Sequence, residues 1–372
     1  MPRSGEAAAD VAKSPELSLA VECCRRSFRS ASRKQTPLPL EAIDWRKFLH
    51  LIGFHRVEGL AWNALSIRAE AIPECAREAL AQAATAIAAN DLRAKAACRQ
   101  ILEGFEAEEL PVLFLKGVTL GALAYGNAAL KAAIDIDLLI DPADLRTAAE
   151  LLRAGGYRLI APRDSAGDTV LRSWHGRWKE SVWAHDAMPL QIDLHTRVAD
   201  SASLLPAVDV HARQQIVDIG SGIRLPTLAP DELFAYLAVH GASSAWFRLK
   251  WISDLAALLA PEGAERMDRL YRRSQELGAG RAAGQALLLA DRLFGTLVGN
   301  PELRDELRRD RMTHRLYMAA LRLLTRAPRE PTEIRFGTLP IHLSQFLLLP
   351  GARYKMSEIL RQANRLRVRG TS

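Results

Sequence analysis

The sequence predicts an α+β protein in which a small mixed β-sheet is flanked by helical regions on both sides. Over residues 16–109 and 229–372, apolar residues recur at intervals of three and four, as in amphipathic helices. Between them, residues 110–228 contain short apolar or alternating runs, which are typical of strands. No G-x-G-x-x-G or G-x-x-x-x-G-K motif occurs, so neither a dinucleotide-binding fold nor a P-loop is expected.

The composition narrows the class of protein. A chain of 372 residues with 49% hydrophobic and 25% charged residues can form two or three globular domains. The net charge of +7 suits anionic substrates, and nucleic acid is a possible but not a favoured partner. No run reaches the roughly 20 apolar residues of a membrane helix. Residues 1–15, expected to be a disordered leader, lack the apolar segment of a secretory signal.

The four cysteines form no C-x-x-C motif and have no neighbouring histidine cluster, which argues against a zinc site. We interpret them as reduced thiols, which indicates a cytoplasmic protein.

The α/β core begins with a short strand and a glycine turn. Pro111 ends the preceding helix, and residues 112–115 form an apolar run that predicts a buried strand. Gly117 stands where this strand turns into a helix over residues 118–125. Such a turn lets the backbone approach a ligand, and the free N–H groups of the helix attract an anion such as phosphate. Lys116 would add a positive charge, although an ordinary strand–helix turn has the same pattern.

Two aspartates open the next strand, in the run LKAAIDIDLLID at residues 130–141. Asp135 and Asp137 are two residues apart, so on a strand both side chains point to one face, roughly 6–7 Å apart at Cα. Ile134, Ile136 and Leu138 are expected on the other face, in a core. A divalent cation such as Mg²⁺ would neutralise the pair. Alternatively, Asp135 ends a loop and Asp137 accepts backbone hydrogen bonds.

A helix and a strand should follow. Asp141 is expected to cap the helix, with Pro142 at its first position, and the helix should end at Gly155. Residues 157–160 then form a strand. The polar residues 163–177 are expected to be a loop, either over the site or on the surface.

A β-hairpin is expected at residues 179–195. Residues 179–185 pair with a strand in which Ile192 and Leu194 alternate with Gln191, Asp193 and His195. If this strand lies beside the strand of Asp135, three carboxylates converge. Such a cluster can hold two Mg²⁺ ions for in-line phosphoryl or nucleotidyl transfer.

Residues 229–372 are predicted to be helical and contain many arginines in the final third. These arginines form either a solvated helical face with glutamate partners or a docking surface for an anionic acceptor.

Several of these motifs together resemble the bacterial uncharacterised nucleotidyltransferase family, within the polymerase-beta-type nucleotidyltransferase superfamily. The resemblance covers residues 110–259 and rests on LKG, DIDLLI, Gly-Gly-Tyr, IDLH and VHGASSAWFRLKWISDL. Where the superfamily usually has Gly-Gly or Gly-Ser, this chain has Lys116-Gly117-Val118-Thr119. Lys131 takes the place of an arginine that family members often have four residues before the first aspartate.

The resemblance implies an Mg²⁺- or Mn²⁺-dependent nucleotidyltransferase with a nucleotidyltransferase core at residues 110–228 and a C-terminal helical domain at residues 229–372. A nucleoside monophosphate would pass from an NTP to an acceptor, which is a small molecule, peptide or protein, and pyrophosphate would leave. The metal-binding and catalytic residues are then Asp135, Asp137 and Asp193, with Asp193 activating the nucleophile. The residues that contact the nucleotide or acceptor are then Lys116, Gly117, Thr119, Lys131, His195, His240, Arg248 and Lys250.

Trp246 is also expected to face the cleft, but Trp246 and Trp251 could equally be core residues, and for Trp251 the core is favoured.

Two other functions remain open. The chain could be a non-catalytic nucleotide-binding or interaction module that retains the fold, or an enzyme that modifies RNA ends. The latter rests on basicity alone and predicts a steep salt dependence of binding. In the absence of metal the three aspartates should repel each other. We therefore expect Asp137→Asn to leave the metal-free protein at least as stable as the wild type.

Overall fold

The computed structural model describes residues 14–29, 38, 40–131, 134–163 and 167–369. Of the expected leader, residues 1–13 therefore lie outside the described residues. Ser14 already belongs to the first helix as its cap, because its side chain accepts a hydrogen bond from the Leu17 N–H group. Pro15 follows at the first helical position, where its missing N–H costs nothing.

The N-terminal part consists of helices, as the apolar spacing predicts. Phe48 and Ile52, four residues apart, are both buried on one side of their helix, the pattern of an amphipathic helix. The longest helix begins directly after Pro73. The helices are α1 (Pro15–Arg26), α2 (Trp45–His55), α3 (Glu58–Leu65) and α4 (Glu74–Ala107).

A five-stranded mixed sheet forms the centre of the molecule, which confirms the predicted α+β class. Its strands lie in the order β1-β2-β5-β4-β3. Only β2 and β5 pair in parallel, and the other neighbours are antiparallel. The strands are β1 (Leu113–Phe114), β2 (Asp135–Leu139), β3 (Tyr157–Ala161), β4 (Glu180–His185) and β5 (Met188–His195).

Helices connect these strands. The first two, α5 (Val118–Tyr125) and α6 (Leu145–Ala154), were expected from their glycine and aspartate signals. The third, α7 (Asp168–Arg177), corrects the loop predicted for residues 163–177. Its buried residues are Leu171 and His175, four residues apart on one face. Two such positions are too few to reveal a helical period in the sequence.

Two other details of the sheet region differ from the expectation. Ile134 precedes β2 and is 44% exposed, whereas Ile136 and Leu138 lie in the core as predicted. A separate antiparallel ribbon of β6 (Gln214–Asp218) and β7 (Arg224–Leu228) was not predicted. Pro226 lies within its second strand, and proline usually argues against a strand.

The C-terminal part is helical. Its central helix buries residues 232–239 and packs against several of the others. In order, the helices are α8 (Pro230–Ser243), α9 (Leu249–Leu259), α10 (Ala264–Glu276), α11 (Gly280–Phe294), α12 (Pro301–Arg309), α13 (Arg311–Leu324), α14 (Leu339–Leu347) and α15 (Ala352–Arg369). None of the helices in the described part of the chain is both long enough and apolar enough to cross a bilayer.

A tight packing contact fixes the bend between α8 and α9, which both border the candidate site. A Cβ atom placed on Gly241 would lie 2.4 Å from the ring of Trp246, so only glycine fits. Trp246 is thereby completely buried, and the next helix begins three residues later at Leu249.

Candidate active site

The pairing of β2 and β5 brings the aspartates together. Asp137 lies directly opposite Asp193 in the parallel register, and Leu139 lies opposite His195. Because successive strand residues alternate between faces, Asp135 and Asp137 share the face of Asp193. The predicted convergence of the aspartate-bearing strands is therefore present.

Asp137 is the most deeply buried member, with 1% of its side chain exposed. Its Oδ1 accepts hydrogen bonds from Lys116 Nζ at 2.8 Å and from His195 Nε2 at 3.1 Å. Burial alone would raise the pKa of Asp137, but the charge of Lys116 and the His195 hydrogen bond hold it well below its ordinary value. The other oxygen, Oδ2, is buried and has no hydrogen-bond partner among the described residues.

Asp193 lies in a more repulsive environment. Burial, followed by the charges of Asp137, Glu180 and Asp135, raises the pKa of Asp193 to about 8. Ligand atoms of Asp137, Asp193 and His195 lie within 4.8 Å of one another. The unsatisfied Asp137 oxygen and the mutual repulsion of the carboxylates are what a bound divalent cation would relieve, so these residues fit a metal.

The site contains a fourth carboxylate that the sequence analysis missed. Glu180 is paired with His195 in the β4–β5 register, and its Oε2 lies 3.3 Å from His195 Nε2. Glu180 also forms an ion pair with Lys179. His195 is completely buried between the two carboxylates, so its contact with Asp137 helps to fix that side chain. The position of Glu180 on the hairpin face that carries Asp193 was the available signal.

A cavity of about 170 Å³ opens beside Asp135. Lys116 and Gly117 border one part of it, and Gly117 has a φ of +66°, which favours glycine. Helix α5 begins there without a side-chain cap, so its first N–H groups are available to an anion. The lining residues are Arg56, Lys116, Gly117, Leu120, Lys131, Asp135, Leu237, His240, Lys250, Trp251 and Asp254.

The structure does not bring every predicted residue to this cavity. The hydroxyl of Thr119 is completely buried and directed at the carbonyl oxygens of Lys116 and Phe114, at 3.0 and 3.2 Å. The guanidinium of Arg248 donates to Glu330 and to a backbone carbonyl of α2, away from the cavity. Trp246 is buried, whereas Trp251 lines the cavity, the reverse of the preference drawn from the sequence.

Lys131, His240 and Lys250 do line the cavity, as predicted. Lys131 forms an ion pair with Asp254, which also accepts a hydrogen bond from Tyr125 Oη at 2.9 Å. Burial, and then the positive charges of Lys116 and Lys179, hold the pKa of His240 well below its ordinary value, so its ring is neutral.

Tyr236 is a further site residue that the sequence analysis missed. Its hydroxyl is buried without a hydrogen-bond partner among the described residues. Burial raises its pKa, and the charges of Lys116 and Asp137 also act on it, which places it beside the acidic cluster.

A mixed sheet with two aspartates on one strand and a third on its parallel neighbour, next to a glycine turn that opens a helix, defines the nucleotidyltransferase class of enzymes. The chain belongs to the family described as uncharacterised nucleotidyltransferase, whose profile matches residues 41–295. The match extends beyond the sheet into helices on both sides. No curated protein and no solved structure matches the chain.

Proposed function

We propose that the protein is a divalent-metal-dependent nucleotidyltransferase that moves a nucleoside monophosphate from an NTP to an acceptor and releases pyrophosphate. The observation that carries this proposal is the register of β2 and β5, which places Asp137 beside Asp193. Asp135, on the same strand face, lines a cavity that Gly117 also borders.

The buried carboxylates would hold Mg²⁺ or Mn²⁺. Asp137 and Asp193 would supply oxygen ligands, with Asp135 on the same face and His195 within reach of both. When bound, the cation would neutralise charge on the transferring phosphoryl group and on the attacking oxygen.

The chain's own groups would bind and orient the donor. The N–H groups of the helix that begins after Gly117, at the border of the cavity, would bind the terminal phosphates. Lys116 has three N–H donors and uses one on Asp137, and among the described residues the other two remain for a phosphate oxygen. This arrangement keeps Asp137 ionised and places a positive charge beside the departing pyrophosphate.

Asp193 would take the proton of the acceptor hydroxyl. The hydroxyl oxygen then forms the new bond to the α-phosphorus as the bond to pyrophosphate breaks. His195 acts through Asp137, which it holds in place, because its own ring has no exposed surface.

Pyrophosphate release tests the proposal. The protein is incubated with each α-phosphate-labelled NTP, Mg²⁺ or Mn²⁺, and a cell extract that supplies acceptors. We expect release of pyrophosphate and transfer of label by the wild type, and loss of both in Asp193→Asn.

Asp186→Asn is the matched control because Asp186 lies on the same hairpin and its side chain is 83% exposed. NTP binding without pyrophosphate release under all these conditions would instead support the non-catalytic nucleotide-binding module.

A further inference from the structure

Three positively charged side chains border the cavity away from the ion pair of Lys116 and Asp137. Arg56 comes from the end of α2, Lys131 from the segment before β2, and Lys250 from α9. All three are half-buried rather than extended into solvent. Cations that are partly removed from water and share one cavity repel each other unless an anion lies between them.

The partners of these three residues differ. Lys131 is neutralised by Asp254. Arg56 and Lys250, in contrast, have no carboxylate within ion-pair distance among the described residues. Glu58 is near enough for the charges of Arg56 and Lys250 to act on it, but it forms no ion pair with either. Asp135 and Asp254 line the same cavity and their charges act on Lys250, but neither is paired with it. Among the described residues, Arg56 and Lys250 therefore lack a direct ion-pair partner.

The lowered pKa of Lys250 is consistent with the lack of a direct ion-pair partner. Burial, and then repulsion by Lys131 and Arg56, lowers its pKa to about 7. Its Nζ lies 5.8 Å from the centre of the Trp251 ring, near the outer limit of a cation–π contact. A bound anion would supply the missing opposite charge.

The size of the cavity restricts the ligand. Its volume of about 170 Å³ is below the roughly 300–1,000 Å³ of pockets that enclose a whole drug-sized ligand. The cavity is thus suited to part of a substrate, such as one or two phosphate groups. Arginine offers a planar fork of donors and lysine a point charge, and both are common ligands of phosphate oxygens.

We propose that Arg56 and Lys250, supported by Lys131, form a phosphate-binding subsite that determines which phosphorylated molecule the enzyme accepts. The subsite rests on the proposed function, because it places that phosphate beside Asp135 and the acidic cluster. The phosphate belongs either to the end of the donor's triphosphate or to a phosphorylated acceptor.

Titration calorimetry with inorganic phosphate and with pyrophosphate tests the subsite directly. We expect Arg56→Gln and Lys250→Gln each to weaken binding by about tenfold, the loss of one hydrogen bond to a charged group. Arg46→Gln is the matched control, because Arg46 lies on the same helix as Arg56 and is exposed. Lys250→Gln should be at least as stable as the wild type, because it removes a positive charge that Lys131 and Arg56 repel. A loss of binding in that variant is then not a loss of structure.

A non-hydrolysable NTP analogue distinguishes the two sources of the phosphate. If the subsite holds the donor's terminal phosphate, inorganic phosphate will compete with the analogue, and both variants will weaken binding of the analogue. If it holds an acceptor, phosphate and the analogue will bind together, and analogue affinity will be unchanged in the variants.

Phosphate affinity within twofold of wild type in both variants would overturn the subsite. That result is distinct from failure of the proposed function, because pyrophosphate release is assigned to Asp193 and is measured separately. Phosphate binding that depends on Arg56 and Lys250 in a protein that never releases pyrophosphate would support the subsite and reject nucleotidyl transfer.

Discussion

Asp137 and Asp193 face each other across β2 and β5, and the structure predicts opposite responses to the same conservative substitution. Asp137→Asn removes the negative charge that compensates Lys116, whose side chain is only 15% exposed. Asp193→Asn removes a carboxylate that lies among three others. In the metal-free protein we therefore expect the first variant to be less stable than wild type and the second to be more stable. The first expectation reverses the one drawn from the sequence, which did not anticipate the ion pair with Lys116.

The magnitudes follow from the local interactions. Breaking a buried ion pair by removing one partner costs about 3–5 kcal/mol, and the residual exposure of Lys116 favours the lower value. For Asp193, a pKa raised from 3.8 to about 8 means that ionisation is unfavourable in the folded state. Discounted for partial exposure, relief of this cost should stabilise Asp193→Asn by on the order of 2–4 kcal/mol at neutral pH.

The raised pKa of Asp193 also determines how stability should depend on pH. With its pKa raised in the folded state, Asp193 binds more protons when folded than when unfolded between pH 3.8 and about 8. Wild-type stability from this group therefore falls as pH rises through that range. The advantage of Asp193→Asn should be greatest above pH 8 and should disappear near pH 4.

Urea unfolding of the EDTA-treated proteins at pH 7.5 measures both effects. The reasoning is refuted if Asp137→Asn unfolds at the wild-type midpoint, because Lys116 would then not depend on Asp137. It is equally refuted if Asp193→Asn is destabilised to the same extent, because the carboxylates would then not repel each other.

Three further predictions concern the metal, a buried histidine and the α8–α9 bend. Mn²⁺ should raise the melting temperature of EDTA-treated wild type and not of Asp137→Asn, because a ligand that binds the folded state stabilises it. An equal rise in both proteins would mean that Mn²⁺ binds elsewhere. Burial lowers the pKa of His55 to about 3, so its contribution to stability should fall by about 2 kcal/mol between pH 6.5 and 5. In urea unfolding at the two pH values, the decrease in the free energy of unfolding should be smaller in His55→Asn than in wild type. It should be unchanged in the exposed control His50→Asn. Gly241→Ala should destabilise the fold by at least about 1–3 kcal/mol, because its methyl group would overlap the Trp246 ring; an unchanged urea midpoint would contradict that packing.

Local sequence patterns were sufficient to predict the framework of the site. The alternation around Asp193 identified a strand with one apolar face, and the Asp-x-Asp spacing identified a second such strand. Once both strands have a buried face, a parallel pairing that keeps all apolar residues inside also places the aspartates side by side. Periodicity therefore predicted the common face of Asp135, Asp137 and Asp193 on the condition that the two strands are neighbours, and the neighbour relation itself came from the structure.

The polar contacts were not accessible in this way. Lys116 and Asp137 lie on different elements, and no periodicity specifies which charges meet across a fold. For Glu180 the hairpin placed the residue on the face of Asp193, but its contact with His195 was not specified by the sequence. Trp246 and Trp251 exchanged their expected places because Gly241 leaves room for the Trp246 ring to be buried against α8, whereas the Trp251 ring contacts His240 at the cavity. That choice depends on a backbone approach that sequence spacing does not reveal.

The cavity draws its walls from distant parts of the chain. Arg56 arrives from the N-terminal helices and Lys250 from the C-terminal helices, while the carboxylates belong to the sheet between them. During synthesis the carboxylates are present once Asp193 has emerged, but the cavity is closed only after α9 has followed. A chain cut down to residues 110–228 would keep the acidic cluster and lose most of the surface around it. The acidic cluster and the positive side of the cavity therefore lie on separate segments of the chain.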